Sequence, residues 1–151
     1  MKKFAMMVIL AAAATAAVTT AMAADVGVRY SSNGNTLADN GGITINQNIG
    51  KYGVEGVFTR SSTGTSVDQY SLLGTYDTVS VLGLTVTSKA GFAYLQPTGA
   101  QTGYAAVVGA GVSIPVTKNV KAAVDYTYQR GQNRVSSFDG NTVSAGLKYS
   151  F

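Results

Sequence analysis

The stretch NTVSAGLKYSF, Asn141 to Phe151, alternates along its whole length. Val143, Ala145, Leu147, Tyr149 and Phe151 fall on one face, and Thr142, Ser144, Gly146, Lys148 and Ser150 on the other. One face is apolar and the other polar. Its length is close to the roughly 9 to 11 residues with which a tilted strand crosses a bilayer, lipid on one side and a polar interior on the other. An ordinary amphipathic strand on a soluble sheet has the same pattern. How often the alternation recurs, and how the chain begins, separate the two readings.

The alternation recurs along the chain. A period of two divides it into eight candidate strands at about 25–32, 42–49, 52–60, 67–77, 81–95, 103–116, 120–130 and 141–151. Val26, Val28 and Tyr30 share a face of the first, opposed by Gly27, Arg29 and Ser31. Ile43, Ile45 and Ile49 oppose Thr44, Asn46 and Asn48 in the second. The fourth is the least regular, because Leu73 joins Ser71, Thr75 and Asp77 on the inner face. In the fifth, Leu82, Leu84, Val86, Ala90, Phe92 and Tyr94 lie together. The connections alternate too. Those at 50–51, 78–80 and 117–119 are short, whereas 33–41, 61–66, 96–102 and 131–140 are longer and polar.

An even strand number with short turns at one end and longer loops at the other is the asymmetry of an outer-membrane barrel. The predicted fold is all-β, a closed eight-stranded antiparallel transmembrane up-and-down barrel. A soluble lipocalin-like barrel needs an apolar interior, yet here the large apolar side chains lie opposite the charges. Tyr30, Tyr70, Tyr94, Tyr104 and Tyr128 fall near the loop ends of the strands. Tyr52, Tyr76, Tyr149 and Phe151 fall near the turn ends, as two interfacial girdles would.

The chain begins Met1-Lys2-Lys3, runs through an apolar stretch from Phe4 to Ala17 and reaches Ala21-Met22-Ala23. A positive end, an apolar core and an A-x-A site describe a secretory signal peptide, 1–23, leaving a single domain at 24–151. A cut after Ala24 fits nearly as well. A retained membrane helix is the rival, but Thr15, Thr19 and Thr20 dilute the run and no stop-transfer charge follows. Losing Lys2 and Lys3 lowers the formal net charge from +4 to about +2, and no segment clusters Lys or Arg. No nucleic-acid partner is therefore expected. With no Cys there are neither disulfides nor thiolate metal sites. Stability has to come from closure, in which every strand edge finds a partner.

The inward face carries Arg29, Lys89, Lys121 and Lys148 against Glu55, Asp77 and Asp125. Eight strands enclose just enough room for side chains, so these charges are expected to form a paired interior network. A narrow ion pathway through the same groups is the alternative. Pairings need the strand register. Catalytic chemistry is thinly supplied. The absence of His removes His-based triads, imidazole bases and His metal ligands, and no cofactor or metal site is expected. Gly109-Ala110-Gly111 lacks the remaining spacing of a nucleotide loop and continues as a strand, so these glycines are read as packing positions.

The closing NTVSAGLKYSF, with VKAAVDYTYQR before it, resembles the small outer-membrane β-barrel superfamily of opacity-like and porin-family proteins. Gly146, Tyr149 and Phe151 match its G-x-x-Y-x-F ending. YGVEGVFTRS from Tyr52 is similar to that family's third strand, and GAGVSIPVTKNV from Gly109 to its sixth strand and following turn. The resemblance implies a location in the Gram-negative cell outer membrane among lipids and lipopolysaccharide, and a terminal signal at Phe151 read by the barrel assembly machinery. It also implies a role among adhesins, resistance factors and small porin-like proteins. The loops here are shorter than in the adhesive members and have no hydrophobic tip. The leading expectation is a non-catalytic, monomeric structural or surface-interaction barrel, with 33–41 and 131–140 exposed to an unknown cell-surface ligand. Arg130 and Arg134 are candidates for contact with lipopolysaccharide phosphates, against the plainer account of two solvated arginines. A small-solute or ion channel is the alternative, and a soluble periplasmic lipid-binding barrel the second.

Overall fold

The computed structural model describes residues 23–33, 40–61, 66–132 and 135–151. Within them lie β1 (Ala23–Asn33), β2 (Asn40–Ile49), β3 (Tyr52–Ser61), β4 (Val67–Val81), β5 (Leu84–Pro97), β6 (Gly103–Pro115), β7 (Val120–Gly131) and β8 (Gly140–Ser150). Each pairs antiparallel with the next, and β8 pairs with β1, closing the barrel. The expected leader, 1–23, lies outside the described residues apart from Ala23. Closure has a physical cause. A sheet edge in lipid leaves backbone N–H and C=O groups unpaired, at several kcal/mol for each. At the seam Val28 meets Leu147 on the outer face and Gly27 meets Lys148 on the inner one.

The faces sort as the alternation demands. Val28, Leu72, Phe92, Val108, Val124 and Leu147 are exposed, while Thr44, Asn46, Glu55, Thr75, Lys89, Asp125 and Ser144 are buried. A water-soluble barrel would reverse this arrangement. Aromatic pairs mark both ends of the apolar belt. Tyr52–Tyr76, tilted, and Tyr149–Phe151, edge-on, meet at the turn end with ring centroids 5.1 and 5.2 Å apart. Phe58–Tyr70 and Tyr94–Tyr104 do so at the loop end, at 5.0 and 5.1 Å.

The turn expected at 78–80 lies elsewhere. β4 continues to Val81, and a register shift between Asp77 and Val79 leaves Thr78 as a bulge. Before the bulge Leu72 and Tyr76 face outward, and after it Val79 and Val81 do. The extra residue shifts the alternation by one and keeps the outer face apolar, which in the sequence reads as a break in the strand. The hairpin closes instead at Leu82-Gly83, so Leu82 is a fully exposed tip rather than a strand residue. Both have positive φ, 52° and 83°, as a type I′ turn requires. A side chain other than Gly or Asn is costly there. Leu82→Asn is expected to raise stability by about 1 kcal/mol, read as a higher urea midpoint in neutral detergent. An unchanged midpoint would mean that the leucine side chain returns what its backbone loses.

The interior is not polar throughout. Val57, Val67, Leu73, Ala93, Leu95, Ala105, Val107 and Val135 form one buried apolar cluster, with Phe138 packed against it. Most of these side chains lie toward the loop end of their strands. Within 131–140, expected as an exposed contact loop, Val135 and Phe138 turn inward there. The segment carries a 3₁₀ turn at Ser136–Phe138, and Val135 is completely buried.

Candidate functional site

The barrel interior is the candidate site, and it is layered along the axis. At the turn end β3 contributes Glu55, a carboxylate with no solvent exposure. Lys89 of β5 donates to both its oxygens, at 2.8 and 3.0 Å, and Lys148 of β8 donates to Oε2 at 2.9 Å. Lys89 Nζ also lies 2.8 Å from Asp125 Oδ1 on β7. One acid between two bases, with one base between two acids, satisfies charges that a barrel interior could not otherwise hold. Gly111 makes room for this arrangement. A Cβ there would strike Asp125 and sit 3.4 Å from Lys89 Cε.

The remaining interior charges of the sequence reading separate. Asp77 accepts a hydrogen bond from Thr87 Oγ1 at 2.6 Å. Lys121 Nζ lies 3.6 Å from Asp25 Oδ2. Asp25 is a residue the sequence reading passed over, though it shares the odd-numbered inner face of Gly27, Arg29 and Ser31. Its position at the very start of a strand concealed it. A polar cavity of about 60 Å³ lies among Asp25, Asn46, Asp77, Lys89 and Lys121, room for a few small species.

Arg29 stands apart from the acids. Its guanidinium donates to Ser144 Oγ, and to Ser31 Oγ at 3.4 Å, while Ser31 and Ser144 bond each other at 2.9 Å. Around them lies a smaller cavity of about 40 Å³ bordered by Thr59, Gln69, Ser71 and Thr127. The apolar cluster borders the same cavity through Val57, Leu73 and Val107, and continues toward the loop end through Leu95 and Val135. Val135 seats against Gly103, where a Cβ would approach its methyl groups to 2.8 and 2.9 Å. The segment is held by Gln129 Nε2, which donates to Phe138 O at 3.2 Å, and by the Gly131 N–H, which donates to Asp139 Oδ1. The Gln132 N–H donates to Tyr104 O at 3.0 Å. No sequence motif marks this plug. Its signal is only a lone Val between polar residues.

The terminal motif divides between the faces. Gly146 faces the interior beside Arg29, and a Cβ there would come within 3.1 Å of the Arg29 backbone. Tyr149 and Phe151 are exposed on the outer face, and the Phe151 N–H donates to Ala24 O at 3.1 Å. Arg130 is exposed near the loop end of β7, across from Ala106 of β6. Arg134 lies outside the described residues. Among the described residues no group of three or more acidic side chains converges as a divalent metal site would need.

Comparison with solved structures places this architecture among small outer-membrane barrels. The N-terminal β-barrel domain of Pseudomonas aeruginosa OprF superposes with a TM-score of 0.73 at 18% identity, covering 85% of this chain and 97% of that one. Neisserial surface protein A gives 0.58 at 20% identity, covering 86% and 96%. The Yersinia pestis outer membrane protein Ail, in a phospholipid nanodisc, gives 0.54 at 14%, covering 87% and 100%. No curated protein matches the chain in sequence. The closed barrel and its lipid-facing belt make this an outer-membrane β-barrel. The family model described as YfaZ precursor matches residues 1–150, and the chain belongs to that family.

Proposed function

We propose that residues 24–151, after loss of a signal peptide at 1–23, form a non-catalytic and non-conducting structural barrel of the Gram-negative outer membrane. The observation that carries this reading is the narrow bore, whose interior leaves only polar cavities of about 60 and 40 Å³. A hydrogen-bonded charge network occupies the turn end and an apolar plug seated on Val135 occupies the loop end. Ions crossing the barrel would have to displace both. The barrel works as a monomer, with its loop end outward among lipopolysaccharide headgroups, which Arg130 and Arg134 contact through phosphate. Phe151 serves as the signal for the barrel assembly machinery. Further surface contacts fall to the other loops, because Val135 and Phe138 are engaged in the apolar cluster. The exposed residues 98–102 belong to this surface.

Planar-bilayer recording tests this reading. The wild-type barrel is expected to give no stable conductance steps, and uniform ion-selective steps would replace it with the channel reading. Val135→Asp places an unpaired carboxylate in the apolar cluster, which costs several kcal/mol unless the segment leaves the mouth. Protease added to intact cells is then expected to cut within 131–140 much faster than in the wild type, while the barrel keeps its boiling-dependent shift on an SDS gel. Equal cleavage rates would show that the segment does not close the mouth.

A further inference from the structure

Three neighbouring strands place one inward side chain each on a single rung: Ser150 of β8, Asp25 of β1 and Asn46 of β2 are successive Cα partners. Ser150 Oγ, Asp25 Oδ1 and Asn46 Oδ1 are all buried, and none has a hydrogen-bond partner among the described residues. Asp25 and Asn46 are 4% and 7% exposed, and both border the 60 Å³ cavity at the turn end. Orphaned buried oxygens are uncommon in native structures, and three on one rung call for a shared occupant. The set is all oxygen, which suits a hard cation rather than a soft one.

Charge decides the valence. The residues around the cavity include four carboxylates, Asp25, Glu55, Asp77 and Asp125, and three ammonium groups, Lys89, Lys121 and Lys148. One positive charge is missing. The Oδ2 side of Asp25 already meets Lys121, at 3.6 Å, which leaves the Oδ1 side for the occupant. With a single carboxylate on the rung and a lysine beside it, a divalent ion lacks the anionic ligands it requires.

We propose that the turn end of the barrel binds one small monovalent cation, sodium or potassium, on the rung formed by Ser150, Asp25 and Asn46. Ser150 and Asp25 face each other where the last strand meets the first. The cation therefore ties the closure seam together, and it stabilises the folded barrel by mass action, because the unfolded chain has no such site. The site is independent of whether the barrel conducts, so its failure would leave the proposed function in place.

Urea unfolding of the purified barrel in neutral detergent, followed by circular dichroism, tests it in sodium, potassium and choline chloride at equal ionic strength. The wild-type midpoint is expected to be higher in sodium or potassium than in choline, and to rise with the logarithm of the metal concentration above saturation. The salt that gives the larger rise identifies the occupant. Asp25→Asn is expected to abolish the difference, and Asn46→Asp, which adds a carboxylate, to enlarge it. Equal wild-type midpoints in all three salts would overturn the site, and so would a full cation effect surviving Asp25→Asn. Should Asp25→Asn fail to assemble, the wild type and Asn46→Asp still decide: no increase in Asn46→Asp would remove this rung as the location.

Discussion

Glu55→Gln is expected to be the most damaging single substitution in the barrel interior, lowering stability by about 3–5 kcal/mol. Gln keeps the volume of Glu, so little of the loss comes from a cavity. The loss comes from charge. Glu55 is wholly buried and receives hydrogen bonds from both Lys89 and Lys148. Lys89 keeps Asp125 after the substitution, but Lys148 loses its only ion-pair partner among the described residues. A largely buried ammonium then keeps only the longer-range attraction of Asp125 and Asp25. Adding Lys148→Met should recover much of the loss, because breaking a buried pair costs far more than replacing both members. The pair of variants is read as urea midpoints in detergent, with the boiling-dependent gel shift as the assembly control. A Glu55→Gln barrel within about 0.5 kcal/mol of wild type would mean that water screens the network as it screens a surface ion pair.

Val124→Arg carries the second large effect and tests the opposite face. Val124 is 54% exposed, halfway along β7, and its cross-strand neighbours are Val112 and Ala145. On the surface of a soluble barrel, such a change falls within about 0.5 kcal/mol of neutral. At the middle of a bilayer it costs about 2–4 kcal/mol, and the penalty decays toward the interface. Ile49, the cross-strand partner of Tyr52 at the turn end, supplies the comparison. Ile49→Arg is expected to cost about 0–1 kcal/mol. Measured in lipid vesicles, two equal small effects would remove the lipid-facing assignment of β7.

Much of this architecture is legible in the residues because the bilayer imposes an inverted and simple code. Val143, Leu147 and Tyr149 against Ser144 and Lys148 state which face meets lipid, and the same rule assigns Glu55 and Lys89 to the inside. The β4–β5 hairpin is where the code slips. A single bulge residue, Thr78, reverses the parity, and a local reading treats a phase shift as a turn. Asp25 was hidden by its place at a strand start, where there is too little alternation to assign a face. The plug was hidden for a different reason. Val135 sits in a polar loop with no periodicity, and its burial depends on Gly103 and Gly131 leaving space on two other segments.

From the sequence alone come the strand number, the lipid-facing side of the strands outside the β4–β5 hairpin, the exclusion of thiol and imidazole chemistry, and the interior charges other than Asp25. These are properties of single residues and of their spacing along one strand, and an alternation of period two expresses them directly. Only the tertiary structure decides that Glu55 bridges Lys89 and Lys148, that Arg29 stays with serines, that Ser150, Asp25 and Asn46 share a rung, and that Val135 is buried against Gly103 and Gly131. Each depends on the register between strands far apart in the chain, and register is set by closure of the whole ring rather than by any segment within it.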